Sequence, residues 1–172
     1  EEEGVQLDDP LLAGLDSRPV DLAVLDVNDD GTDELAVLYG GSPGIVAVFA
    51  ISSDSPPTLI PSLTTAVGND PADMDAGDID NDGDEDLVIA NGDDSTLSVL
   101  TSSEPRSGTS VFESKTVTVP GHDQKLSCVA IIDWNSNLNT VKDVVVGIDK
   151  NGEQENDTLQ VLTDVSGSDG VG

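Results

Sequence analysis

The chain has 172 residues, with 35 aspartates and glutamates against 6 lysines and arginines, and a formal net charge of −29 at pH 7. A chain this acidic is repelled by nucleic-acid phosphates and by anionic membrane surfaces, so we expect no nucleic-acid binding. We also expect no membrane insertion, because the longest apolar runs are only as long as a strand. Its single cysteine excludes an internal disulfide.

The first 18 residues lie outside the repeated pattern that follows. They combine acidic residues with the apolar Val5, Leu7, Leu11 and Leu12. We interpret residues 1–18 as a segment that can supply a missing strand, either to a preceding repeat unit or to the last unit of this chain.

A run of alternating oxygen-bearing side chains occupies residues 26–34, with Gly31 at its sixth position. Calcium takes about six to eight oxygen ligands, and a glycine lets the backbone turn sharply around the ion. The same pattern recurs 52 residues later in residues 78–86, with Gly83 at the sixth position. Both runs therefore have the form of a calcium-binding loop.

The flanking sequences repeat together with these loops. Pro19 and Pro71 each lie seven residues before the first aspartate of a loop, and an apolar strand follows each loop. An Asp-rich chain produces the loop motif by chance, so the repeated flanks are the stronger sign of a true repeat. The predicted strands are residues 20–27, 34–40, 45–52 and 58–65 in the first unit, and 73–79, 86–91, 96–101 and 112–119 in the second.

A third, eroded copy begins 55 residues after the second. Leu138 replaces the turn glycine, and a neutral asparagine stands where the second unit has an acid. Two interpretations stay open, a weak third calcium site or an asparagine-rich turn held by its own side-chain hydrogen bonds. The residues of this third candidate site are Asp133, Asn135, Asn137 and Asp143.

Units of 52 to 55 residues with room for four short strands are typical of β-propeller blades. We predict an all-β fold of about three four-stranded antiparallel blades, which form an incomplete ring or part of a larger propeller or assembly. The first blade covers residues 19–66, the second 67–120 and the third 121–165. Residues 166–172 are rich in Gly and Ser and are predicted to be a flexible linker.

Position 12 of each loop, Val37 or Ile89, falls inside a predicted strand. These loops therefore lead into a strand, whereas the calcium loops of helical families lead into a helix. Over roughly residues 19–165 the chain resembles the FG-GAP and VCBS repeats of integrin-α-like β-propellers, nearer the bacterial VCBS type. In those repeats the loop D-x-D-x-D-G-x-x-D joins the first two strands of a blade.

The resemblance implies calcium ligands at ten positions, with Thr32 and Asp84 contributing backbone carbonyls. The neutral Asn28 and the longer Glu34 predict that the first site is the weaker. The side-chain ligands are Asp26, Asn28, Asp30 and Glu34 in the first loop and Asp78, Asp80, Asp82 and Asp86 in the second. Four further polar residues are expected to point away from the ion as solvated surface: Asp29, Asp33, Asn81 and Glu85.

The resemblance also implies a secreted, calcium-binding module at the cell surface that serves adhesion or binds a protein or glycan. Two alternatives stay open, a structural subunit of an extracellular filament or surface layer and an accessory propeller of a secreted polysaccharide-degrading enzyme. The sheet edges at the ends of an open stack predict pairing with further repeats or with other copies of the chain. We expect no enzymatic activity, because the lone His122 has no triad partners nearby, and we expect Cys128 to pack in the core.

Overall fold

The computed structural model contains strands, turns and connecting segments, and none of the residues that it describes is helical. The predicted all-β class is therefore confirmed. Within the same residues, no helix has the length and apolar character needed to cross a membrane. The described residues are 18–54, 58–103, 111–120, 125–133, 142–149, 157–163 and 165.

Several sequence predictions fall outside these ranges. They concern the N-terminal segment up to residue 17, the linker at 166–172, and the residues His122, Asn135 and Asn137.

Eleven described strands form three antiparallel sheets in which consecutive strands are neighbours. The strands of the first two sheets begin and end within two residues of their predicted bounds. The first sheet contains β1 (Pro19–Leu25), β2 (Glu34–Tyr39), β3 (Ile45–Ile51) and β4 (Leu59–Ala66). The second contains β5 (Pro71–Gly77), β6 (Asp86–Asn91), β7 (Thr96–Ser103) and β8 (Val111–Thr118), and the third contains β9 (Lys125–Ile132), β10 (Asp143–Asp149) and β11 (Thr158–Leu162).

The second sheet is the middle layer of the stack, as strand β6 shows most clearly. All six of its residues are buried. Leu87 and Ile89 pack towards the first sheet, while Val88 and Ala90 pack towards the third. Side chains alternate across a strand, so a strand covered on both faces requires an uninterrupted apolar run, and Leu87 to Ala90 provide it.

Two apolar cores hold the three sheets together, and a third cluster lies on the outer face of the first sheet. That outer cluster is built from Val37, Tyr39, Ala47 and Phe49. At about 25 cal/mol per Å² of buried apolar area, the two inner cores supply the main favourable free energy of folding.

Backbone-to-carboxylate hydrogen bonds also join the sheets along their first strands. Met74 N–H donates to Asp21 Oδ2 at 3.0 Å, which ties β5 to β1. Val129 N–H donates to Asp73 Oδ2 and Ile131 N–H to Asp75 Oδ2, both at 2.8 Å. Since β1, β5 and β9 are all edge strands of their sheets, these carboxylates occupy backbone donors that the sheet itself leaves free.

We predict that Asn91→Ala destabilises the fold by about 1 to 3 kcal/mol, since it leaves buried polar groups without their partner. Asn91 is fully buried at the end of β6. Its Oδ1 accepts from Gly68 N–H at 3.0 Å, and its Nδ2 donates to the hydroxyls of Thr96 and Ser98, each at 3.0 Å. Urea unfolding followed by circular dichroism measures the change.

Thr58→Ala is the matched control for this experiment. The Thr58 hydroxyl is exposed and donates to Ser52 Oγ, so its loss should cost less than about 0.5 kcal/mol. Equal losses in the two variants would contradict a structural role for Asn91.

Candidate metal centre

The two predicted calcium loops connect the first and second strands of the first two sheets. In each loop the glycine at the sixth position bonds back to the first aspartate. Gly31 N–H donates to Asp26 Oδ2 at 2.8 Å. Gly83 N–H donates to Asp78 Oδ2 at 3.2 Å. The repeated sequence therefore produces the same closure of the loop in both units.

Each loop also contains two consecutive turns in which a side chain accepts from the N–H two residues later. In the second loop Asp82 N–H donates to Asp80 Oδ1 at 3.2 Å, and Asp84 N–H donates to Asp82 Oδ1 at 3.0 Å. In the first loop Asn28 and Asp30 accept the corresponding bonds, each at 2.9 Å. Short Asp and Asn side chains favour such turns, which explains why they alternate along the loops.

The fourth and sixth positions of both loops adopt left-handed backbone conformations. The φ angles are 50° at Asp29 and 62° at Asn81, and the two loop glycines have 82° and 103°. Asp, Asn and Gly tolerate this region better than other residues do. Asp29 and Asn81 are exposed as predicted, and they also shape the backbone of the loop, a role that was not predicted from the sequence.

Three acidic side chains of the second loop converge on one point. One carboxylate oxygen each from Asp78, Asp80 and Asp86 lies within 4.8 Å of the others. Asp78 Oδ1 is buried and has no hydrogen-bond partner. Among the described residues, no other set of three His, Cys, Asp or Glu side chains meets in this way. This acidic cluster could hold a metal ion, and oxygen-only donors suit a hard cation.

Asp86 is the buried member of the cluster and lies at the start of β6. Ile79 N–H donates to its Oδ2 and Ser102 N–H to its Oδ1, both at 2.8 Å. Burial raises the pKa of Asp86 to about 7, and the nearby charges of Asp80 and Asp82 add to the increase. Burial and the same kind of repulsion also raise the pKa of Asp80. Without a cation, the negative charges of these clustered carboxylates therefore repel one another.

The first loop is arranged differently at its closing residue, Glu34. Its Oε2 accepts from Val27 N–H at 3.2 Å, and its Oε1 accepts from Asn28 Nδ2 at 3.5 Å. Both oxygens of Asp26 are engaged as well, because Asp30 N–H donates to Oδ1 at 3.1 Å. Burial raises the pKa of Glu34, whereas hydrogen bonds led by the Thr32 hydroxyl lower the pKa of Asp30. The predicted ligands share one loop here, but their carboxylates do not form a three-acid cluster.

Glu85 departs from the prediction of a solvated side chain. Its Oε2 accepts the N–H of Asp26 at 3.1 Å, so the second loop contacts the beginning of the first. The prediction was wrong because this contact depends on how two sheets stack, which the pattern of a single unit does not contain. Asp33 is exposed as expected.

The third candidate site is described only in part. Asp143 is buried at the start of β10, the place that Asp86 occupies in β6, and Asp133 is exposed. Asn135 and Asn137 lie outside the described residues. Cys128, expected in the core, is exposed, because it lies on the face of β9 turned away from the second sheet's core.

A family model described as an FG-GAP-like repeat matches residues 26–89, which include both loops. The predicted resemblance to FG-GAP repeats is therefore confirmed over this segment, and the closer VCBS assignment stays a prediction. No curated protein matches the chain.

We predict that, in the presence of a chelator, the free energy of unfolding falls as the pH rises from about 4 to about 7. Folding raises the pKa of Asp86 from 3.8 to about 7. Between these two pH values the folded protein keeps a proton on Asp86 that the unfolded protein has lost. The proton on Asp86 therefore contributes its full stabilisation below the pKa of the unfolded state. That contribution disappears as the pH rises through the pKa of the folded state. At roughly 1.4 kcal/mol per pKa unit, it amounts to at most about 4 kcal/mol.

Urea unfolding in EDTA across this pH range measures the slope, and Asp86→Asn is the comparison variant. The variant cannot titrate at this position, so its stability should depend less on pH, whatever its absolute stability. An identical slope in the two proteins would show that Asp86 does not control the pH dependence.

Proposed function

We propose that this chain, with its FG-GAP-like repeat at residues 26–89, is a calcium-binding module of a secreted or cell-surface protein. The observation that carries the proposal is the acidic cluster of the second loop. A buried, unpartnered carboxylate oxygen on Asp78 lies in the same cluster as Asp80 and Asp86. A buried charge without a partner is costly, and a bound cation removes that cost.

Calcium fits this loop better than magnesium does. Magnesium requires a nearly ideal octahedron and retains several waters, whereas calcium accepts more protein oxygens in a flexible geometry. The ligand set that we propose contains Asp82 and the carbonyl of Asp84 besides the three clustered acids. In the first loop we propose a second, weaker site at Asp26, Asn28, Asp30 and Glu34, with the carbonyl of Thr32.

The proposed extracellular location follows from the expected affinity. Extracellular calcium modules bind with dissociation constants of about 10⁻⁴ to 10⁻³ M, and only extracellular calcium is concentrated enough to fill them. The bound ions would order two neighbouring loops at one end of the stacked sheets. We propose that this ordered loop surface contacts a protein or glycan in adhesion, without catalysis.

A structural subunit of an extracellular assembly is the second candidate, favoured by the surface of the first sheet. Leu22 and Val24 are 60% and 58% exposed on its outer face. Exposed apolar side chains on an edge strand are typical of a contact surface. This function requires copies of the chain to associate with one another.

We predict two calcium-binding events, of which the second loop gives the tighter. With a dissociation constant near 10⁻⁴ M, a few millimolar calcium should stabilise the fold by about 2 kcal/mol per site. Calorimetric titration and thermal unfolding in calcium or in EDTA provide the measurement. Absence of both binding heat and a change in melting temperature would refute calcium binding.

Two substitutions at the equivalent third position of each loop provide a matched test. Asp80→Asn should weaken the tighter event at least about tenfold, because it removes one charge from the cluster. Asn28→Asp should strengthen the weaker event for the opposite reason. If both substitutions act on the same event, the assignment of the two sites is wrong.

A further inference from the structure

The second loop contacts the first loop through one side chain, that of Glu85. Its Oε2 accepts the N–H of Asp26 at 3.1 Å, in a partly buried contact. Asp26 is the first residue of the first loop, and Glu85 lies between Asp84 and Asp86, two of the ligands proposed for the second loop. The hydrogen bond therefore joins the ligand-bearing end of one loop to the beginning of the other.

Each end of this contact lies at a point that holds its own loop closed. The Asp26 carboxylate accepts Gly31 N–H at 2.8 Å. Asp86, the chain neighbour of Glu85, accepts Ile79 N–H at 2.8 Å. A change in the position of Glu85 is therefore passed directly to the residue around which the first loop closes.

A second contact between units uses the equivalent position of the third sheet. Lys142 directly precedes the buried Asp143, as Glu85 precedes Asp86. The Lys142 N–H donates to the carbonyl of Ile79 at 3.3 Å. In both interfaces the residue before the closing acid bonds to the first or second residue of the preceding loop. At Glu85 the bond uses a side chain, so a substitution can remove it without changing the backbone.

Calcium in the second loop would restrict Glu85 from both sides. The proposed ligands there include the carbonyl of Asp84 and the carboxylate of Asp86, the residues that flank Glu85 in the chain. Ordering a side chain costs entropy, and a backbone that is already fixed lowers the cost of the bond to Asp26. An ion in the second loop therefore favours the bond that orders the beginning of the first loop.

We propose that Glu85 is a positioning residue that transmits calcium occupancy of the second loop to the beginning of the first loop, through its hydrogen bond to Asp26. The proposal rests on calcium binding by the second loop, which is part of the proposed function, and does not require an ion in the first loop. One bound ion then orders both loops. At calcium concentrations that fill the tighter site alone, the surface made by the two loops is already ordered.

Amide hydrogen exchange of Asp26 tests this proposal in the full chain carrying Asp30→Asn. That substitution removes a charge from the first loop and so weakens calcium binding there. The asparagine oxygen can still accept Thr32 N–H, as Asp30 does at 2.9 Å. Between EDTA and a few millimolar calcium, exchange of the Asp26 amide should slow at least about fivefold. Exchange of the Ile79 amide, which bonds to Asp86, should slow as well and reports occupancy of the second loop.

Glu85→Ala in the same chain removes the acceptor. Calcium should then still slow exchange at Ile79 but leave exchange at Asp26 unchanged. The matched control is Asp33→Ala, at the equivalent position of the first loop, where the side chain is exposed. This control should keep the slowing at both amides. Glu85→Gln retains an amide oxygen that can accept the same N–H and should keep part of the slowing at Asp26.

Slowing at Ile79 without slowing at Asp26, in the chain that retains Glu85, would overturn the proposal and leave calcium binding by the second loop intact. Slowing at Asp26 that persists in Glu85→Ala would also overturn it, because a general gain in stability would then account for the effect. An equal loss in Glu85→Gln and Glu85→Ala would show that the hydrogen bond does not carry the effect, which contradicts the proposal. Absence of slowing at both amides would refute calcium binding as well.

Discussion

The second hairpin depends on one buried carboxylate, that of Asp86. Its two oxygens accept N–H groups from Ile79 at the start of the loop and from Ser102 in β7. A single side chain therefore fixes the loop, β6 and β7 relative to one another. Its burial makes those hydrogen bonds strong and makes its own charge costly. The buried position that stabilises the hairpin therefore also makes the charge of Asp86 costly unless the carboxyl is protonated or a cation lies beside it.

Asp86 illustrates a general use of acidic residues in this protein. Asp21, Asp73 and Asp75 also accept backbone N–H groups, in their case from a neighbouring sheet. Carboxylates have no donor when ionised and up to about four acceptor positions, so they suit the unpaired donors of edge strands and tight loops. Some of the large negative charge is therefore part of the internal architecture, in addition to any role in keeping the surface hydrated.

The strands and loops that recur in each repeat unit were predicted correctly from the sequence. Repeated apolar runs beside the loops located the strands of the first two sheets, and the spacing around Gly31 and Gly83 located the loops, since both features follow from local backbone geometry. Contacts between units were not predictable in the same way. Glu85 and Asp73 look like ordinary surface acids until the stacking of sheets places a neighbour's N–H beside them. Cys128 looked like a core residue because its strand is apolar, but the strand has a covered face and an uncovered one.

The exposed thiol at Cys128 has a consequence for contacts between molecules. The sequence contains no second cysteine, so this thiol has no disulfide partner within the chain. Under oxidising conditions it can therefore pair only with a thiol of another molecule.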